Sequence, residues 1–335
     1  MIQLSAPILQ GCEWKNLLAQ AIRDPGELLQ LLDLPPTMLP GAIAAAQSFP
    51  LRVPISYVQR MNKRDPDDPL LRQVLPLNAE LDTANGYQHD PVGDIAAQTV
   101  PGLLHKYRGR ALLVTTGACA IHCRYCFRRN FPYAESNPAQ DQWRSALHYL
   151  NNNTDIHEII LSGGDPLSLS DHRLLQLIDA LEKIQHLKTV RLHTRLPIVI
   201  PQRVNATLLQ RLTNCSLRIV MVVHINHANE IDDEVSSAMI RIREAGITLF
   251  NQSVLLKGVN DSIETLATLS QRLFDNHILP YYLHQLDKVT GAAHFAVNDN
   301  KAIDLIGSLR ELLPGYLVPR LVRELPGEPS KVPLL

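Results

Sequence analysis

The 335-residue sequence predicts an α/β protein, a partial (β/α)6 barrel that carries a helical N-terminal lobe. Three observations predict it. From residue 111 onward, short runs rich in β-branched residues alternate with amphipathic stretches, the pattern of parallel strands with helices packed outside. About six such βα units fit, fewer than the roughly eight that close a full barrel. The first sixty or so residues instead keep a helical period. With 45% hydrophobic side chains, the chain can bury a large core. Residues 1–100 are therefore expected to form the helical lobe and a linking segment, and residues 101–335 the barrel domain.

In chain order, Asp24-Pro25-Gly26-Glu27 reads as a helix start, with Asp as the cap and Pro in the first turn. From Asn62 to Pro101 the chain is polar and turn-rich, as in Asp65-Pro66-Asp67-Asp68-Pro69, and is expected to be a link wrapped on the surface. Strands are predicted at Ala111–Thr116, Glu158–Ser162, Thr189–His193, Leu217–Val223, Thr248–Val254, Leu279–Leu286 and Tyr316–Val322. Helices are predicted between them, over about 139–151, 171–186, 203–213, 232–245, 262–277 and 299–313. In such folds functional side chains gather at the carboxyl ends of the strands.

Charge and cysteine usage narrow the function. The formal net charge is −1, so no overall field favours nucleic acid or an anionic membrane, and neither partner is expected. No apolar run approaches the roughly 18 residues of a spanning helix, and the N-terminal residues lack a signal-peptide pattern, so a cytoplasmic location is expected. Five cysteines, three clustered and two isolated, suit a reducing compartment and a metal site better than a disulfide framework. The isolated pair, Cys12 and Cys215, are expected to be inert, buried thiols.

The cluster Cys119-Ala-Ile-His-Cys123-Arg-Tyr-Cys126 directly follows the first strand of the barrel. Three thiolates can hold three corners of a [4Fe-4S] cube and leave one iron open to a small molecule. A structural zinc site would want four closed ligands, although His122 lies within the loop. One strand later, Ser162-Gly163-Gly164-Asp165-Pro166 places two glycines where backbone can approach a ligand, but alone this could be an ordinary tight turn.

Together, the three-cysteine loop and the Gly-Gly-Asp turn resemble the radical S-adenosylmethionine superfamily. Further segments narrow the resemblance: Cys126-Phe-Arg-Arg-Asn-Phe-Pro-Tyr133, Leu196-Pro-Ile-Val-Ile-Pro-Gln-Arg203, Asn251 to Asp261, Pro280-Tyr-Tyr-Leu-His-Gln-Leu-Asp287 and Pro326-Gly-Glu-Pro-Ser-Lys331. From about residue 60 onward the chain is similar to the lysine 2,3-aminomutase family, and most similar to its short bacterial form that serves β-lysylation of elongation factor P.

The resemblance implies a [4Fe-4S] cluster on Cys119, Cys123 and Cys126, and S-adenosylmethionine held by Gly163, Gly164, Asp165 and His224, with His193 and Arg195 as looser candidates. It implies pyridoxal phosphate joined to Lys331 as a Schiff base, with Lys106, Tyr107 and Arg110 around the phosphate. Arg128 would take the substrate carboxylate, and Asp287 and Glu324 the ε-ammonium of L-lysine. Where the family has Asp at the second acidic position, this chain has Glu324, one methylene longer. The implied partners are L-lysine, an electron donor such as flavodoxin, and elongation factor P with its ligase. The family's larger members continue into a zinc-bearing extension, whereas this sequence ends four residues beyond Lys331, so no zinc site is expected. Two other readings stay in view. One is the same chemistry on another amino acid such as glutamate, which Asp287 and Glu324 would repel. The other is a non-catalytic metal-binding interaction module, which predicts metal without cleavage of S-adenosylmethionine.

Overall fold

A computed structural model describes residues 6–136 and 143–334, with side chains from Glu13 onward. Glycine at Gly102 (φ 74°) and Gly109 (φ 81°) turns the chain twice, so that β1 (Gln98–Val100), β2 (Leu103–Tyr107) and β3 (Arg110–Thr116) run antiparallel. From β3 the direction is constant. β4 (Glu158–Gly163), β5 (Thr189–Thr194), β6 (Arg218–Val223), β7 (Thr248–Val254), β8 (Leu279–His284) and β9 (Arg320–Arg323) follow it in parallel, and the short β10 (Val332–Pro333) returns antiparallel along β9. Each strand neighbours its successor in one ten-stranded sheet.

Each of the six connections from β3 to β9 carries a main helix, Arg144–Asn152, Asp171–Leu181, Ala206–Thr213, Asp233–Glu244, Ile263–Asp275 and Asp299–Leu312, and the third connection adds the single turn Leu196–Val199. This is the expected partial (β/α)6 barrel. Local chemistry sets the helix starts. Asn205, Asp232, Ser262 and Asn298 each accept a hydrogen bond from the backbone N–H three residues on, a cap worth about 1 kcal/mol. Their inner faces, such as Leu174, Leu177, Ile178 and Leu181 on the second helix, are fully buried. Among the described residues no helix is long and apolar enough to cross a membrane.

The lobe holds the helices Ala6–Ala19, Pro25–Leu31, Leu39–Ser48, Ile55–Val58 and Pro69–Arg72, and Asp24 caps the second of them as the sequence suggested (Glu27 N–H to Asp24, 2.8 Å). Its Trp14, Tyr57, Leu70 and Val74 belong to the same buried cluster as the strand residues Leu113, Leu161 and Leu192.

Several expectations need correction. The stretch 62–101 is no surface link: Asp68 caps a short helix whose Leu70 and Leu71 are buried, and Gln73, Glu80 and Asp94 are buried as well. Those polar residues can be inside because each meets a cation or amide from the barrel, a pairing invisible to local composition. The helix expected over 171–186 stops at Leu181, and the strand expected over Leu279–Leu286 stops at His284. The last expected strand shrinks to Arg320–Arg323, because Gly315–Leu317 forms a 3-10 turn after Pro314. The helix expected from 139 starts at Arg144, and positions 137–142 lie outside the described residues. Cys215 is only partly buried, since it sits at the exposed foot of β6, and the Cys12 side chain lies outside the described residues.

Candidate active site

The carboxyl ends of the parallel strands surround a cavity of about 270 Å³. Every residue singled out above for cluster, cofactor or substrate lines it, from Lys106, Tyr107 and Arg110 on the β2–β3 hairpin to Glu324 and Lys331 at the end of the barrel.

Beyond β3 the cysteine loop is fastened to the lobe. The fully buried Arg124 forks onto Glu80 (2.7 and 2.6 Å), Arg129 reaches the same carboxylate at 2.9 Å, and Arg124 N–H donates to the Gln73 carbonyl (2.9 Å). Such bidentate, desolvated pairs fix geometry. Cys119, Cys123 and Cys126 are free thiols on the cavity wall. Burial, followed by repulsion from the neighbouring sulfur, pushes the Cys126 thiol up to about 11, and Cys119 is pushed up for the same reasons. Thiols such as Cys119 and Cys126, which resist ionising here, suit cationic iron, which supplies the missing charge. His122 faces away, with Nδ1 at 2.8 Å from the Pro50 carbonyl and its ring stacked on Phe49. Among the described residues, no group of three or more His, Cys, Asp or Glu is placed to hold a single metal ion.

The glycine turn after β4 braces that loop. Gly164 and Asp165 donate their N–H groups to the Thr116 (2.7 Å) and Ala118 (2.8 Å) carbonyls. A Cβ on Gly164 would lie 2.3 Å from the Ala118 oxygen, and Gly163 adopts φ 110° with Val114 in the way of any side chain. Close backbone approach is therefore required here, between turn and cysteine loop. The buried Asp165 carboxylate receives four donors: Thr194 hydroxyl (2.7 Å) and Leu167 N–H (3.0 Å) on one oxygen, Arg195 N–H (2.7 Å) and Leu196 N–H (3.0 Å) on the other. Burial raises its pKa, while these hydrogen bonds act against that. With its lone pairs taken, Asp165 organises the end of β5.

His193 and His224 meet edge to face at 5.9 Å, and the Gln252 amide bridges them at 3.4 and 2.9 Å. Burial pushes His224 down to about 3, so it is a neutral imidazole at physiological pH. Nε2 of His193 and of His284 is buried without a partner, and both rings line the cavity, so each leaves one nitrogen for a ligand.

The cavity wall also carries a row of alternating charge. Asp94 joins Arg128 Nε (2.6 Å) to Lys106 (2.5 Å), Lys106 continues to Glu324 (2.8 Å), and Glu324 ends on Lys331 (2.6 Å). Burial alone would raise Asp94 and Glu324, but their cationic neighbours outweigh it and hold both below the usual carboxylate range. Asp287 has no such partner among the described side chains: burial, then the negative charge of Glu324, pushes it up to about 7.

The row changes how several expected residues can act. Lys106 spends its third donor on the Val92 carbonyl (2.7 Å), so in this conformation it has none for a phosphate. Arg110 stacks on Tyr107 at 4.5 Å and has no hydrogen-bond partner among the described residues. Arg128 also donates to the Ser162 hydroxyl (3.2 Å), which leaves Nη2 free for a carboxylate. Sequence reasoning missed Asp94, Gln252 and His284. Gln252 and His284 could have been found as inward positions near the ends of β7 and β8, whereas Asp94 lay in the stretch read as a link and carried no signal.

The radical SAM superfamily model matches residues 113–269. The L-lysine 2,3-aminomutase of Escherichia coli (strain K12) is 51% identical over 324 residues, 96% of this chain and 94% of that protein. That of Haemophilus influenzae is 48% identical over 95% of this chain and 94% of its own length. That of Clostridium subterminale is 33% identical over 96% of this chain and 78% of its own.

Proposed function

Because the chain belongs to the L-lysine 2,3-aminomutase family of radical S-adenosylmethionine enzymes, we propose that it moves the 2-amino group of L-lysine to carbon 3 and releases β-lysine. It is a radical S-adenosylmethionine isomerase, and that family uses a [4Fe-4S] cluster and S-adenosylmethionine. The observation that carries the finer reading is the charged row from Arg128 to Lys331, which lines the same cavity as the three cysteines.

When bound, the cluster with S-adenosylmethionine supplies a carbon radical that abstracts hydrogen, and pyridoxal phosphate supplies a π-system that stabilises an unpaired electron next to the migrating nitrogen. The chain's residues do the positioning. Lys331 anchors pyridoxal phosphate through its amine, and Arg110 with Tyr107 takes the phosphate, because Arg110 keeps its donors free. Arg128 offers Nη2 to the α-carboxylate of lysine, while Asp94 holds the guanidinium still. Asp287 and Glu324 receive the ε-ammonium, and the same two carboxylates reject glutamate by repulsion. Gly163, Gly164 and His224 border the space for S-adenosylmethionine beside the cysteines. Buried walls exclude water that would quench a radical.

On the resemblance to the short bacterial form, we assign the β-lysine to modification of elongation factor P, and the reducing electron to a flavodoxin-type donor. The test is anaerobic incubation of reconstituted protein with L-lysine, S-adenosylmethionine, pyridoxal phosphate and dithionite, followed by chiral chromatography. β-Lysine is expected, and it should vanish in Lys331→Ala and Cys123→Ala. 5′-Deoxyadenosine without β-lysine would sink the substrate assignment. Cluster-replete protein that gives neither would reopen the binding-module reading.

A further inference from the structure

Both terminal nitrogens of the buried Arg195 guanidinium are hydrogen-bonded, and among the described residues only its Nε finds no partner. Its backbone N–H is fixed by Asp165, and from there the guanidinium crosses towards the lobe. Nη2 donates to Glu230 (2.7 Å), Gln73 (2.6 Å) and the Tyr57 hydroxyl (3.0 Å), and Nη1 donates to the Tyr125 hydroxyl (2.9 Å) and to the Cys123 sulfur (2.8 Å). The arginine is 4% exposed and Glu230 0%, so their charges act with little screening. Glu230 is itself locked by the Asn226 and His227 N–H groups (2.8 and 3.1 Å) and the Gln73 amide (3.2 Å). Among the described residues Cys123 is the only one of the three loop cysteines to receive a side-chain donor.

We propose that Arg195 is a positioning residue for the iron-sulfur centre: a charge-assisted donor to the Cys123 sulfur that favours the reduced cluster, with Glu230 setting how much of its positive charge the sulfur feels. The inference rests on reading the three cysteines as cluster ligands. Reduction adds one electron to the cluster, and hydrogen bonds to ligating sulfur stabilise that added charge. The ion pair with Glu230 uses Nη2 alone. The guanidinium aims its second nitrogen at sulfur, and Tyr57 and Gln73 from the lobe hold it in that attitude. The lobe thereby gains a role at the cluster, and the glycine turn reaches the same sulfur through Asp165 and the Arg195 backbone.

The test compares midpoint potentials of reconstituted holoprotein, without S-adenosylmethionine, by redox titration with dithionite under electron paramagnetic resonance. In Arg195→Gln the reduced-to-oxidised ratio at the wild-type midpoint should fall about tenfold, a shift of about 59 mV for a one-electron couple. In Glu230→Gln, which unmasks the guanidinium, the ratio should rise. Opposite signs support the proposal, because general loosening of the loop would move both variants the same way. Unchanged potentials at wild-type iron content, or shifts of one sign, overturn it. If Arg195→Gln takes up no cluster, Glu230→Gln decides alone, with an upward shift in support and any other result against. Wild-type protein that assembles no four-iron cluster overturns the cluster reading, and the inference with it.

Discussion

Lysine capture should depend on pH through Asp287. Burial and then the charge of Glu324 push its carboxyl up to about 7, while Lys331 partly offsets them. Only the ionised form can hold an ε-ammonium. With a midpoint near 7, about one-tenth of the protein is competent at pH 6 and about nine-tenths at pH 8. The kcat/KM for L-lysine should therefore rise about tenfold across that window and then level. Glu324→Gln removes the neighbouring negative charge, so the midpoint should move to lower pH while the plateau falls through loss of an acceptor. Asp287→Asn should flatten the profile. Stability has the opposite sign. The folded pKa lies above the ordinary value of 3.8, so the folded state binds more protons between the two values. This carboxyl therefore contributes stability that is full below about 4 and lost as pH rises through about 7. Protection of Tm by bound lysine should accordingly grow with pH. A kcat/KM that is flat or falling from pH 6 to 8, or a rise that survives in Asp287→Asn, would refute the reasoning.

Asp94→Asn leaves Arg128 and Lys106 buried without their shared anion, so unfolding should become easier by about 3–5 kcal/mol, read from denaturant midpoints. A change below about 1 kcal/mol would mean the row is solvated. Gly164→Ala drives a methyl into the Ala118 carbonyl, at a cost of about 1–3 kcal/mol, and because that carbonyl belongs to the start of the cysteine loop, iron per chain after reconstitution should fall with it. Arg110→Met should weaken pyridoxal phosphate binding at least about tenfold, measured by absorbance titration, as expected for one charged hydrogen bond. Lys106→Met should act chiefly on stability. Equal losses of cofactor affinity in the two variants would show that Lys106 leaves Glu324 for the phosphate.

The barrel was legible because its strands carry β-branched runs and its helices carry caps, and both signals are local. Asp24 reads as a cap in the sequence and in the structure, and the helices expected from about 232 and 262 start at Asp233 and Ile263. The stretch 62–101 misled for a physical reason. Gln73, Glu80 and Asp94 look like surface residues until their partners are known, and those partners, Arg195, Arg124 and Arg128, stand 34 to 122 positions further along the chain. No local pattern encodes a pairing across that distance. The cysteine spacing and the glycine pair were legible as a motif, yet the tasks of Gly164 and Asp165 in bracing the loop and the end of β5 were not. A turn's sequence permits close approach without saying what approaches.

The charge balance of the cavity explains why one carboxylate can serve both cofactor and substrate. Asp94 and Glu324 balance two of the three cations Arg128, Lys106 and Lys331, while Asp287 is pushed up to about 7 beside them. Glu324 already holds a primary ammonium at 2.6 Å, that of Lys331. On the proposed reading, Lys331 would give up that place while its amine is committed to pyridoxal phosphate, and the chemically identical ε-ammonium of L-lysine could enter it before the α-amine of the substrate displaces Lys331 and returns a free amine to the cavity. Lys106 stays on the other oxygen of Glu324 at 2.8 Å, so exchanging one ammonium for another restores the second cation of a carboxylate that keeps its first. The same swap favours lysine over any amino acid without a distal cation, because such a substrate would leave Glu324 satisfied by Lys106 alone. Specificity then comes from an acid that a distal ammonium completes, and Glu324, held from its other side by Lys106, is fixed in place before the substrate arrives.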